Sequence, residues 1–353
     1  MKDWFPQHPP IYDIEKSYAF NLENGPFFRG EIPKRPESRR KTNFLGFSLR
    51  SPLGVPAGPL LGSKWVKLAT QLGFDLPVYK TIRSFAHPSH ALPNMIFVET
   101  DSPNRVHAAR KTPQGPAHLS VTNSFGMPSQ SPDFILQDIA KAQECLQEGQ
   151  ALIVSIVGTP NQGVSFADDF VKAALLAKEA GAKIIEANFS CPNVRKAEGC
   201  LYVSPETVKL FASALVKAIH PTPLIIKVGL FPNDALLQDV LITAARAGVQ
   251  AVCGLNSVSM QVTDSEGKAA LGPSRLASGV CGALIRPKAI EFIRKAAEIN
   301  QQEKLGLTLM GCGGVVEPHH FDEFLDAGAD IAMSATGMMW DPYLAMKWHQ
   351  ERK

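Results

Sequence analysis

The chain has 353 residues, 45% of them hydrophobic and 20% charged, with a formal net charge of +3. That length can bury one α/β barrel core or two ordinary domains, and so small and evenly spread a charge argues against a nucleic-acid partner. No apolar run reaches membrane-spanning length and Met1-Lys-Asp-Trp-Phe-Pro lacks the apolar core of a signal peptide, so a cytoplasmic protein without a membrane partner is expected.

Residues 1–45 are rich in proline and charge and read as an irregular N-terminal arm with no assigned chemistry. The basic run Arg39-Arg40-Lys41 reads as solvated. From residue 46 to the end, the expected barrel domain, β-branched runs alternate with Ala-rich amphipathic stretches. Strands are predicted at 53–57, 77–81, 152–157, 183–189, 224–228, 251–256, 307–311 and 330–335. Helices are predicted at 64–72, 133–147, 166–179, 205–219, 234–246, 286–300, 318–326 and 338–351. Gly73, Gly181, Gly248 and Gly328 each stand where a helix ends and a strand follows. Ser165-Phe-Ala-Asp168 has the form of a capping box, with Phe166, Phe170, Ala174 and Ala177 on one face of the helix it opens.

Eight strands, each followed by a helix, predict an α/β fold of the (β/α)8 TIM-barrel type. A doubly wound dinucleotide fold would want a Gly-rich fingerprint after its first strand, and Ala57-Gly-Pro-Leu-Leu-Gly62 does not match one. Two long βα connections, 84–120 and 257–285, break the rhythm and are expected to be lids or binding loops.

Chemistry in such barrels gathers at the C-terminal strand ends. Those ends carry Ala57-Gly58, Lys80-Thr81, Ser155, Asn188, Lys227, Asn256-Ser257, Gly313-Gly314 and Ala335-Thr336. The stretch Lys183-Ile-Ile-Glu-Ala-Asn-Phe-Ser-Cys-Pro-Asn193 is a buried strand that ends in two amides, a hydroxyl and a thiol. It either grips a planar polar ligand with a proton-transfer group beside it, or packs a buried Cys191 between Asn-based turns. Gly313-Gly314 and Ala335-Thr336, with helix N-termini expected after both, suit a phosphate or simply turn the chain. Lys227, inside an apolar strand, needs an anionic ligand or an ion pair with Glu186. Val121-Thr-Asn-Ser-Phe-Gly-Met-Pro128 holds Asn123 and a Gly-centred turn whose amides could bind a carboxylate.

Asn188-Phe-Ser-Cys-Pro-Asn193, Asn123-Ser-Phe-Gly-Met-Pro128, Lys80-Thr81, Lys227 and Asn256-Ser257 together resemble the dihydroorotate dehydrogenases, from about residue 46 to 350. The thiol in Ser-Cys-Pro-Asn resembles the soluble class 1 enzymes. Ser278-Gly-Val-Cys-Gly-Ala-Leu-Ile-Arg-Pro287 is also similar to the dihydropyrimidine dehydrogenase flavin domain. The resemblance implies FMN, with Ala57, Gly58, Lys80, Thr81, Asn188, Lys227 and Gly282 around the flavin and Gly313, Gly314, Ala335 and Thr336 at its phosphate. It implies dihydroorotate, or a related pyrimidine, bound by Asn123, Phe125, Gly126, Met127, Asn188, Asn193, Asn256 and Ser257. It makes Cys191 the base, assisted by Lys80, and suggests a homodimer. The first 45 residues and the 84–120 connection depart from the simple class 1 pattern. Nothing resembles the hydrophobic N-terminal helices of the membrane-associated class 2.

Two other readings compete. One is oxidation or reduction of an uncharged pyrimidine. The other is a phosphosugar aldolase barrel with Lys80 or Lys227 as a Schiff base, which leaves the site amides and Cys191 without a role. No metal site is expected, and His319-His320, at a Pro-initiated helix start, should face water. His87 and His90 read as solvated loop residues that could gate the site. Cysteines 145, 191, 200, 253, 281 and 312 show no disulfide or metal spacing, so free thiols are expected.

Overall fold

A computed structural model describes residues 8–36, 41–102, 104–160, 163–190 and 200–351. In chain order the elements are α1 (Tyr18–Asn24), β1 (Thr42–Phe44), β2 (Phe47–Leu49), β3 (Leu53–Val55), α2 (Ser63–Gln71) and β4 (Leu76–Ile82). Then come β5 (Met95–Ser102), β6 (Arg105–Ala108), β7 (Ser120–Asn123), α3 (Pro132–Glu144), β8 (Ile153–Ile156), α4 (Phe166–Glu179) and β9 (Ile185–Asn188). After these follow α5 (Pro205–Ile219), β10 (Leu224–Lys227), α6 (Asp234–Arg246), β11 (Ala251–Gly254), β12 (Val258–Thr263) and β13 (Ala277–Gly282). The chain ends with α7 (Arg286–Gln302), β14 (Thr308–Cys312), α8 (His319–Asp326), β15 (Ile331–Met333), α9 (Thr336–Trp340) and α10 (Leu344–Glu351).

Eight parallel strands close in the order β3-β4-β8-β9-β10-β11-β14-β15, and β15 returns to β3. This is the predicted (β/α)8 barrel, and each predicted strand supplies one stave. Apolar side chains at alternate positions fill the interior, among them Val78, Ile153, Ile225, Met310 and Met333. The β1–β2 hairpin adds Phe44 and Leu49 to that interior cluster, plugging the barrel at the end away from the strand C-termini. A second apolar layer lies between staves and helices. The capping box forms, with the Asp168 N–H donating to Ser165 Oγ at 3.1 Å. Phe170 then packs edge-on against Phe189, just beyond the end of β9. The helix-ending glycines Gly73, Gly181, Gly248 and Gly328 all adopt φ between +90° and +106°, a region that favours glycine.

Two expectations need correction. The predicted helix 338–351 is two helices, α9 and α10. Pro342 has no N–H to give and disfavours helical geometry at Asp341, where the break falls. The connections 84–120 and 257–285 are not simply loops. They supply β5, β6, β12 and β13, which with β7 close into a second five-stranded sheet over the barrel. The alternating burial of β12 is the usual signature of a strand with one face covered.

The N-terminal arm runs as a strap down the outside of the barrel. Asn21, fully buried, accepts the Asp13 N–H at 2.7 Å and donates to the carbonyls of Asp13 and Ser17 at 2.9 Å, fixing the arm's upper turn. Lower down, Tyr343 donates its hydroxyl to the Glu31 carbonyl at 2.9 Å. Arg35 grips the buried Asp75 through both carboxylate oxygens at 2.5 and 2.6 Å, just before β4 begins. No helix among the described residues is long and apolar enough to cross a membrane.

Candidate active site

One cleft opens at the C-terminal ends of the staves and encloses about 1170 Å³ of empty space, its open mouth included. The turn after β3 brings Ala57 and Gly58 to it, and β4 brings Lys80 and Thr81. Asn188 comes from β9, Lys227 from β10, and Asn256 with Ser257 from beyond β11. Gly313, Gly314, Ala335 and Thr336 follow β14 and β15. The upper sheet contributes Asn123, Phe125, Gly126 and Met127 at the end of β7, and Gly282 at the end of β13. Cys191 and Asn193 lie outside the described residues.

The floor is a buried cation between sulfurs. Lys227 is 4% exposed, and its ammonium donates to Cys312 Sγ at 2.9 Å and to Cys253 Sγ at 3.2 Å. Burial works against the charge of Lys227, but Cys253, Cys312 and Glu186 outweigh it and hold the lysine above its ordinary value. The two thiols are driven apart. Hydrogen bonding from Cys253 lowers Cys312 against burial, with help from Lys227, while burial pushes Cys253 up. The ion pair with Glu186 does not form as a contact: the carboxylate is fully buried and neither oxygen has a hydrogen-bond partner. Cys253 and Cys312 were legible in principle, since both keep step with the inward-facing Ala251 and Met310.

Side-chain amides form the wall above. Asn256 Nδ2 donates to Asn188 Oδ1 at 3.2 Å and to the Ser190 carbonyl, while the Ser190 N–H donates to Asn188 Oδ1 at 3.2 Å. The Ser257 N–H fixes Asn256 Oδ1 at 2.9 Å. Asn123 Nδ2 donates to Cys281 Sγ at 3.1 Å, a cleft residue that sequence reasoning missed. Burial pushes the Cys281 thiol up and keeps it neutral. Thr81 Oγ1 lies 3.0 Å from Ser155 Oγ.

The turn after β7 has consecutive positive φ angles, +75° at Gly126 and +51° at Met127. A Cβ on Gly126 would lie 2.5 Å from the ring of His90, so only glycine fits there. His90 thus backs the turn instead of standing in solvent, and its backbone N–H donates to the Phe125 carbonyl at 3.0 Å. Two further cleft residues come from the arm: Tyr12 and Tyr18 both present ring edges to Phe125, at centroid distances of 6.0 and 6.3 Å. No local pattern in residues 1–45 announces this.

Two glycines shape the cleft at the backbone. A Cβ built on Gly58 meets nothing within 4 Å, so any side chain there would extend into the ligand space. Gly314 has φ +92°, and a Cβ on it would lie 2.9 Å from both Arg286 Cα and the Gly282 carbonyl. Thr336 opens α9, but α8 starts only at His319, so Gly313-Gly314 does not sit on a helix's first turn as expected.

His320 corrects another expectation. It is 1% exposed, its Nδ1 accepts the N–H groups of Val316 and Glu317 at 3.2 and 3.1 Å, and Arg286 Nη1 donates to the ring. Burial, followed by the charge of Arg286, pushes it down to about 3. It shares a 4.8 Å cluster with Glu317 and His319, yet the guanidinium on its ring disfavours a cation there. The five described cysteines are all free, Cys200 included.

The family model for dihydroorotate dehydrogenase matches residues 39–351. The chain belongs to the dihydroorotate dehydrogenase family. It is 48% identical to a dihydroorotate dehydrogenase of Dictyostelium discoideum over 368 aligned positions, covering 99% of each chain. It is also 26% identical to the catalytic subunit of an NAD(+)-type dihydroorotate dehydrogenase B of Bacteroides thetaiotaomicron, over 67% of this chain and 71% of that one. The dihydropyrimidine dehydrogenase subunit PreA of Escherichia coli is 30% identical over 54% of this chain and 45% of its own. The family match spans barrel and upper sheet and leaves out residues 1–38 of the arm, whereas the Dictyostelium dihydroorotate dehydrogenase aligns with nearly the whole chain, arm included.

Proposed function

We propose that this protein oxidises dihydroorotate to orotate, with one FMN held per chain and Cys191 as the general base. The observation that carries the reading is the meeting, in one cleft, of the buried Lys227 cation, the Asn188–Asn256 amide network and the Gly126–Met127 turn. Near full-length similarity to a dihydroorotate dehydrogenase supports the substrate. Gly313, Gly314, Ala335 and Thr336 would hold the phosphate, and Ala57, Gly58, Lys80 and Thr81 the ring system.

When bound, FMN supplies the acceptor for the hydride leaving C6 of the substrate. Lys227 puts a permanent positive charge beneath the cleft, which favours a reduced, anionic ligand. Asn188, Asn256 and Asn123 orient the pyrimidine ring through its carbonyl and N–H groups, with Asn193 in the same role. The amides of Gly126 and Met127 take the carboxylate. Cys191 removes the C5 proton, and the cation of Lys80 favours the thiolate it needs.

The test has two parts. Heat-released supernatant should contain FMN in proportion to protein; none after reconstitution removes the cofactor. Dihydroorotate should then bleach the flavin anaerobically much faster than uncharged dihydrouracil. Equal rates would favour a neutral pyrimidine as the substrate.

A further inference from the structure

Arg83 follows the end of β4 and is 2% exposed, a position from which a guanidinium gains nothing by contact with water. Its side chain is spent on the turn that lines the cleft. Nε donates to the Met127 carbonyl at 3.0 Å and Nη2 to the Gly126 carbonyl at 3.3 Å. Nη1 donates to Thr159 Oγ1, and the Arg83 backbone N–H donates to Ser129 Oγ at 3.0 Å on the far side of the turn.

Peptide geometry gives this arrangement a direction. In a trans peptide the C=O and N–H point opposite ways. The Gly126 carbonyl is drawn toward Arg83, so the Met127 N–H points away from it. The Phe125 carbonyl is drawn toward His90, so the Gly126 N–H points away from His90. The Met127 carbonyl is also taken by Arg83, and the next residue, Pro128, has no N–H. Gly126 and Met127 line the cleft, and Arg83 stands behind them. A guanidinium is a rigid planar fork, and here it holds both carbonyls of the turn at once. At low local dielectric two amides aligned in this way act strongly on an anion in front of them.

We propose that Arg83 is a positioning residue that makes the cleft select a pyrimidine bearing a carboxylate over a neutral one. It holds the Gly126 and Met127 amides in the conformation that turns both N–H groups away from the guanidinium, a pair of donors that a carboxylate can use and a neutral ring cannot. This rests on the reading of the turn as the carboxylate site.

The test uses flavin-loaded protein and two ligands, orotate and uracil, with binding read from the perturbed flavin spectrum. Arg83→Gln should weaken orotate by about thirtyfold or more, as expected for losing a buried charge-assisted contact. Uracil affinity should change less than about threefold on the same grounds, because the ring contacts remain. Arg83→Lys keeps the charge but not the fork, and should fall between wild type and Arg83→Gln for orotate. If Arg83→Gln does not fold, Thr159→Val loosens one end of the guanidinium and should weaken orotate selectively by a smaller factor. Equal weakening of both ligands, or unchanged orotate binding in Arg83→Lys and Thr159→Val, overturns the proposal. Wild-type protein that binds FMN and uracil but no orotate overturns the carboxylate reading itself, and the role of Arg83 with it.

Discussion

The ammonium of Lys227 on β10 donates to the sulfur of Cys312 on β14 across 2.9 Å, two staves away around the barrel. The bond locks the cation at the floor of the cleft and leaves its charge without a contacting carboxylate. Lys227→Met keeps the apolar stem and removes that charge. The expected result is weaker FMN retention and, in flavin-saturated protein, reduction by dihydroorotate slowed on the order of a hundredfold. Flavin content after gel filtration and stopped-flow reduction measure the two effects; a wild-type rate would exclude Lys227 from the chemistry.

Cys191→Ser nearly conserves volume but replaces a thiol of ordinary pKa about 8.5 by a far weaker acid. Flavin reduction should slow by about a hundredfold or more with FMN still bound, in line with the usual share of a general base. In wild type the rate should rise with pH through the thiol ionisation. A Cys191 that only packs would show looser flavin and near-normal reduction per bound flavin.

The arm should matter to substrate binding. Tyr12→Ala and Tyr18→Ala each remove a ring edge from Phe125, a contact of about 0.5–1.5 kcal/mol, and leave the next residues of the turn less well held. KM for dihydroorotate should rise by roughly three- to tenfold on that energy, with kcat little changed. Steady-state kinetics of the two variants decide it, and an unchanged KM in both would make the arm a bystander.

Acid should destabilise the fold through His349. It is 5% exposed and bonded to the Gly73 carbonyl at 2.9 Å, and burial lowers it from 6.5 to about 4, with Arg35 adding to the shift. Because the folded value lies below the unfolded one, the neutral ring's contribution is complete above pH 6.5 and is lost as pH falls toward 4. That loss is about 3 kcal/mol at most. His349→Gln should be less stable at pH 7.5 but show a shallower decline between pH 6.5 and 4, measurable by urea unfolding across that range.

The barrel was legible because its period is local. Each stave is a short β-branched run, each helix has an apolar face, and a glycine closes each helix that needs a left-handed residue. The convergence of Lys227, Gly313-Gly314 and Ala335-Thr336 on one cleft was legible for the same reason, since residues at the strand C-termini must meet once the barrel closes. The sequence alone thus groups Lys80, Lys227, Asn188, Asn256 and the Gly313-Gly314 pair. The upper sheet was less visible: β12 alternates cleanly, but it pairs with β6, and β13 with β7, from a distant part of the chain, and such pairing leaves no local trace.

What the sequence determined by itself was therefore the fold class, the ring of polar strand ends and the family to which they belong. Tertiary structure alone decided the rest. It made Lys227 a partner of Cys312 instead of Glu186, brought Tyr12 and Tyr18 from the arm onto Phe125, and set Arg83 behind the Gly126–Met127 turn. These are contacts between residues from about 40 to more than 100 positions apart, with no shared periodicity. Strand and helix patterns record which face of an element is buried. They do not record which distant side chain meets it, because that choice is made only when the barrel, its upper sheet and the arm pack together.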